Sequence, residues 1–279
     1  MRAPPRTWLF AAALILAAGC KNESEPGYYG TLARHGHSPR TLYINNGDEP
    51  EYLDPGLISE QAGGCLAFDL FEGLVEQHPA DLHPVQGVAE RYDKSDDNRI
   101  FRCYLREDAK WSDGKPVTAA DFVYAWQRVL RPETGSRQVG MMYALKNGEA
   151  FGARKLLVTS RAVVLQPSRH AKDGKTIVLE GSAVRLLGKP EGGMVEVELY
   201  DDLPTFRPRP RAVAKAPEKG WVELASLQLD ESVIGVRAAS ERVLEVELEQ
   251  PTPYFLELAS YYAFFPVRRD VIERAAWRG

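Results

Sequence analysis

Apolar and polar residues alternate through positions 99–106 (RIFRCYLR), which predicts a strand with Phe101, Cys103 and Leu105 turned inward. Positions 243–248 (VLEVEL) alternate in the same way, and 41–46 (TLYINN) reads as a strand before a turn at 47–50 (GDEP). A helical period replaces alternation at 118–130, where Phe122, Val123, Trp126, Val129 and Leu130 fall on one stripe. Thr118 stands at its N-cap, Asp121 follows three residues later as an approximate capping box, and Pro132 stops the helix. A second helix is predicted over 61–74, with Leu66, Leu70, Phe71 and Leu74 on its inner face. Prolines at 251 and 253 open a short helix, and 264–267 (FFPV) is apolar enough to be buried. Between 151 and 230 the pattern changes. Short apolar runs at 163–165, 176–179, 183–187, 195–199 and 220–224 are separated by Gly, Pro or Asp, the pattern of a small sandwich or barrel. The class expected is therefore α+β: a mixed sheet with helices, interrupted by a small all-β insertion.

The chain has 279 residues, 44% of them hydrophobic, which is enough for one large or two small domains. A net charge of −4 gives no sign of a nucleic-acid surface. The beginning, MRAPPRTWLFAAALILAAGC, joins a basic start to an uncharged run and small residues ahead of Cys20. That run is too short to span about 30 Å of hydrocarbon as a helix, so 1–19 reads as a secretory signal. Leu16 to Cys20 resembles the lipobox of bacterial lipoproteins, which implies lipidation of Cys20 and an extracytoplasmic, membrane-anchored protein. Lys21 leaves sorting to an outer membrane open if the cell is Gram-negative. Residues 20–40, polar and rich in Gly and Pro, read as a flexible tether that includes His35 and His37. Cys65 and Cys103 are the remaining cysteines. An oxidising compartment permits a disulfide between them, but two separate core residues fit the spacing equally well.

Catalytic motifs are missing: there is no Gly-x-Ser-x-Gly elbow and no phosphate-binding Gly-x4-Gly-Lys. His78, His83 and His170 stand in polar, loop-like contexts. The 78/83 spacing is not that of a helical zinc pair, and no motif supplies a third ligand, so no metal site is expected. Glu247 and Glu249 alternate on a strand and read as its solvated face. No enzyme activity and no cofactor are expected.

Taken in order, GDEPEYLDP (47–55), DLFEGLVE (69–76), GVAERYD (87–93), YLREDAKWSDGKPVTAADFVYAWQRVLRPET (104–134), IGVRAASERVLEVELEQPTPYFLEL (234–258) and FFPV (264–267) resemble the extracytoplasmic solute-binding proteins of peptide ABC transporters. The resemblance implies the first lobe of a type II periplasmic-binding-protein fold at 41–154 and 230–279. It also implies a peptide ligand held largely by its main chain, and a membrane permease as partner. The lobe that would complete the cleft lies outside this sequence; a shortened descendant or a truncated product is the alternative expectation. By the family's alignment, Ser59, Glu60, Gln61 and Gln138 line the ligand, although Ser59 stands where oligopeptide binders carry glutamate and Gln138 where they carry tyrosine. The insertion, 155–229, resembles a bacterial Src-homology-3-like barrel through LEGSAVRLLG, MVEVELYD and GWVEL. That likeness implies peptidoglycan or a protein as a second partner.

Overall fold

The computed structural model describes residues 46–171, 173–174, 176–208 and 218–276. The signal, Cys20, the tether with His35 and His37, and nearly all of the strand expected at 41–46 lie outside the described residues. Helix α1 spans Gln61–Leu70, and strands β1 (Val75–Gln77) and β2 (Pro84–Gln86) form a hairpin. Strands β3 (Ala89–Lys94) and β4 (Ile100–Leu105) precede helix α2 (Ala119–Leu130) and the short α3 (Gly148–Gly152). The 151–230 region holds β5 (Leu156–Thr159), β6 (Val163–Leu165), β7 (Thr176–Val178), β8 (Ala183–Leu186), β9 (Met194–Leu199), β10 (Lys219–Glu223) and β11 (Leu227–Gln228). The chain then returns through β12 (Val236–Ser240), β13 (Val243–Glu247), α4 (Phe255–Ala259) and α5 (Arg269–Ala276).

A four-stranded antiparallel sheet in the order β12–β13–β4–β3 carries the main core. Phe101, Cys103 and Leu105 are buried, as the alternation of β4 predicts. Helix α2 packs against β12 and β13, burying Phe122, Trp126, Val129 and Leu130. Its start is built as predicted. One oxygen of Asp121 accepts from the Thr118 amide at 2.8 Å and the Thr118 hydroxyl at 3.0 Å, satisfying donors that a helix N-terminus leaves open. Trp126 donates Nε1–H to the Phe264 carbonyl at 2.7 Å and meets Phe264 edge-on at 5.3 Å, which fixes the predicted buried segment against the helix.

Helix α1 departs from the expectation. It ends at Leu70 because Phe71 turns extended (φ −121°, ψ 157°), and its buried face is Ala62, Gly63, Gly64 and Ala67 rather than the leucine stripe. The reason is close approach. A Cβ on Gly64 would lie 3.0 Å from the Tyr262 ring, and one on Gly63 would lie 2.8 Å from the Tyr52 carbonyl. Leu70, expected inside, lines an open groove of about 560 Å³ with Leu53, Phe71, Trp111, Val117 and Pro266. The disulfide weighed between Cys65 and Cys103 is not formed. Both are free, with Cys65 exposed on α1 and Cys103 buried in β4. Burial pushes the Cys103 thiol up to about 12, so it is an inert core group.

Within 155–229 the five predicted apolar runs all become strands, β6 to β10. They belong to an antiparallel sheet ordered β10–β9–β8–β5–β11, with the β6–β7 hairpin joined to β10 through a Gln166–Trp221 bridge. Leu165, Val178, Val184, Val195, Val197 and Val222 form a second, smaller core there. Leu156, Val158, Ala183 and Leu203 instead pack into the main core, so the two cores are contiguous.

The Glu247 expectation is corrected. Strand β13 lies between β12 and β4, and residues 200–207 cover the face that carries its glutamates. Glu247 is 5% exposed and accepts from the Thr205 amide at 2.7 Å and hydroxyl at 2.8 Å. Lys146, itself 3% exposed, sits 3.7 Å from Glu247 and donates to Asp202 at 2.6 Å. Glu249, just past the strand, accepts from the Asn147 amide at 2.7 Å. Covering a face whose charges are paired is admissible; burying them unpaired is not.

Candidate functional site

The site is assembled by the loop ahead of α1 and by the segment that follows α2. Asp54 fixes the first. It receives a two-pronged hydrogen bond from Arg128 of α2, at 2.9 and 2.7 Å, and its carbonyl accepts from the Leu57 and Ile58 amides. That clamp delivers Ser59 and Glu60 to the helix start. Glu60 caps α1, one oxygen accepting from the Gly63 amide at 3.1 Å and the Glu51 amide at 3.2 Å, the other from the Ser59 amide at 3.1 Å. These donors, Ser59 foremost, hold its carboxyl below the usual glutamate range, although the group is solvent-facing. After α2, the Thr134 hydroxyl donates to the Arg128 carbonyl at 2.6 Å, and the Ser136 hydroxyl accepts from the Gln138 amide at 3.2 Å. Gln138 is thereby aimed back at α1.

Of the four expected ligand-lining residues, Ser59 and Glu60 are chain neighbours joined by a Ser59 amide bond to Glu60, and Gln138 approaches them through Ile58. Gln138 Nε2 reaches the Ile58 carbonyl at 3.4 Å and the Tyr262 hydroxyl at 3.3 Å, and exposed Arg137 donates to Ser59 Oγ at 3.4 Å. Gln61 is exposed at the first position of α1, one residue past the cap. Tyr262 and Tyr261 complete the cluster and are not singled out by the sequence reading, which stops at the FFPV segment. The adjacent tyrosines just before that segment were the available signal. The Tyr261 hydroxyl donates to that of Tyr262 at 2.8 Å, and the two rings lie 4.1 Å apart. Burial, reinforced by Tyr261, pushes the Tyr262 phenol up from its ordinary value, so it stays protonated.

The cluster is held by its own hydrogen bonds: Gln138 and Arg137 donate, Ser59 accepts, and the Tyr262 oxygen accepts from both Tyr261 and Gln138. A nucleophile would need an adjacent base. The Ser59 hydroxyl faces a guanidinium instead, and the neighbouring Glu60 carboxylate is occupied by backbone donors.

The family model for bacterial extracellular solute-binding proteins, family 5 Middle, matches residues 83–277. Among curated relatives, the periplasmic oligopeptide-binding protein OppA of Escherichia coli K12 is 30% identical over 235 residues, covering 84% of this chain and 30% of its own. The dipeptide-binding protein DppE of Bacillus subtilis 168 is 33% identical over 159 residues, covering 56% of this chain and 29% of its own. Among solved structures, the Escherichia coli murein tripeptide binding protein MppA superposes with a TM-score of 0.52 at 28% identity, covering 81% of this chain and 30% of that one. The chain thus spans about 30% of the length of the curated relatives it matches. The described fold is mixed α and β, like these neighbours.

Proposed function

Since the chain belongs to the bacterial extracellular solute-binding proteins of family 5, we propose that it forms part of an extracytoplasmic receptor that captures peptides for an ABC transporter permease, tethered to the membrane through a lipid on Cys20. The observation that carries the reading is that Gln138 joins the Ile58 carbonyl to the Tyr262 hydroxyl while its neighbour Arg137 donates to Ser59, so that three distant stretches of chain meet in one polar cluster. An extended peptide exposes unpaired main-chain donors and acceptors, and a patch of amide, hydroxyl and guanidinium groups pairs with them whatever the side chains are. Varied sequences are then tolerated. Binding is non-catalytic.

Short peptides of three to five residues should raise the melting temperature of the purified chain, because a ligand that binds only the folded state stabilises it by mass action. Gln138→Ala should reduce that shift while leaving the ligand-free melting temperature nearly unchanged. The peptide-responsive protein should fractionate with membranes, and its Cys20→Ser form with the soluble fraction. A broad peptide library that leaves melting unmoved overturns the reading.

A second reading concerns 155–229. Its own small core, the five-stranded sheet and the Gln166–Trp221 bridge support a compact Src-homology-3-like barrel that attaches the anchored protein to peptidoglycan or a protein partner. Arg161, Gln166 and Glu223 border a polar groove of about 240 Å³ on this sheet. Co-sedimentation with purified peptidoglycan, weakened by Arg161→Ala and Gln166→Ala together, is the expected result. Equal sedimentation of the variant and the parent removes the groove from consideration.

A further inference from the structure

The β1–β2 hairpin brings together three side chains that the peptide reading does not use. Its last paired residues are Gln77 and Pro84, and the next pair outward, His78 and His83, is closed by a His78 amide that reaches the His83 carbonyl. The Leu82 amide in turn reaches the His78 carbonyl at 2.9 Å, with Leu82 itself in the left-handed region at φ 63°. This tight loop turns Asp81 back to the Nδ1 edge of both rings. One Asp81 oxygen lies 3.0 Å from His78 Nδ1 and 2.5 Å from His83 Nδ1. Along the chain the two histidines lack both helical spacing and a motif that supplies a third ligand. A hairpin supplies both the proximity and the carboxylate.

We propose that His78, Asp81 and His83 bind one divalent transition cation of the zinc class. Two imidazoles and one carboxylate are a ligand set suited to zinc, nickel or copper, and three protein ligands leave a position for water. The ligand atoms all lie within 4.8 Å of one another. A tetrahedral ion with bonds of about 2.0–2.2 Å needs its ligands roughly 3.3 Å apart, within reach of small ring rotations. The rings stack with centroids 4.5 Å apart and 20° between planes, and the Nδ1 atom of each faces the same Asp81 oxygen. The Ala80 amide approaches His78 Nδ1 at 3.3 Å, a long contact that a bound ion would displace, since both use the same lone pair. Among the described residues no other group of His, Cys, Asp and Glu side chains meets this geometry.

Calorimetric titration of the full chain with zinc chloride tests the site. One equivalent should bind, and His78→Ala or His83→Ala should weaken it by more than the roughly 10–100-fold that loss of an outer hydrogen-bond partner causes. Asp81→Asn should weaken it less than either, because its amide oxygen remains a ligand. His35→Ala/His37→Ala and His170→Ala should bind as the parent does. Zinc should also shift the ring resonances of two histidines in the unsubstituted chain, a readout that does not depend on any variant folding. Undiminished binding in the His78→Ala/His83→Ala double variant, or no ring shift on adding zinc, overturns the proposal.

Discussion

Trp126→Ala is expected to destabilise the fold by about 3–5 kcal/mol, the range for removing a large buried aromatic. Trp126 is fully buried and touches Phe122, Phe255 and Phe264 edge-on at 5.3–6.3 Å, so its loss leaves a cavity bounded by rigid rings that close in poorly. At roughly 2–4 °C per kcal/mol for a chain of this size, the melting temperature should fall by roughly 6–20 °C. Trp126→Phe separates the two contributions. It keeps most of the packing but strands the buried Phe264 carbonyl, a loss of about 1–3 kcal/mol. Because that carbonyl belongs to the turn carrying Tyr262, the phenylalanine form should also lose part of its peptide-dependent shift. Calorimetric melting with and without peptide measures both effects, and a Trp126→Phe variant as stable as the parent would show that the hydrogen bond contributes little.

The second large effect is expected at the covered face of β13. Lys146→Met removes the cation beside a buried Glu247 and should cost about 3–5 kcal/mol, the penalty for leaving a buried charge without its partner. Lys146→Met/Glu247→Leu should recover much of that loss, since neither charge then remains; the Thr205 donors freed by the change belong to an exposed residue and regain water. Urea denaturation of the parent, of Lys146→Met, of Glu247→Leu and of the double variant gives the comparison. A double variant that loses the sum of both single changes would mean that the two groups act independently.

What the sequence discloses and what it hides follow a physical division. Helix α2 was legible to the residue at its start, since capping is local: Thr118 and Asp121 are three apart and satisfy one another whatever surrounds them. The inward face of β4 was legible too, because period-two alternation survives any topology. The α1 stripe was misread because the close approach of Tyr262 selects glycine and alanine, and small residues carry no hydrophobic signal. Strand β3 (AERYDK) has one buried residue in six and gave no pattern to find. For the candidate site, the family resemblance points to Ser59, Glu60, Gln61 and Gln138, whereas the contact of Tyr262 with Gln138 needs the fold, since it spans 124 positions. The hairpin triad was illegible for a related reason. Ligand spacing in a turn depends on the direction of each side chain, not on a count of residues.

Strand β13 is written as a strand with one wet side, and residues 200–207 lie over that side. The segment that supplies them runs from β5 to β11, and these two strands are paired neighbours, Thr159 opposite Leu227 and Val158 opposite Gln228. Its two ends therefore lie about 5 Å apart, a gap that stays the same whether the intervening chain is long or brief. Beneath it lie Lys146, Glu245 and Glu247, which water would solvate readily if the cover were lifted. The same segment also sends Ala183 and Leu203 into the main core, so lifting the cover would wet the glutamates and expose apolar surface together.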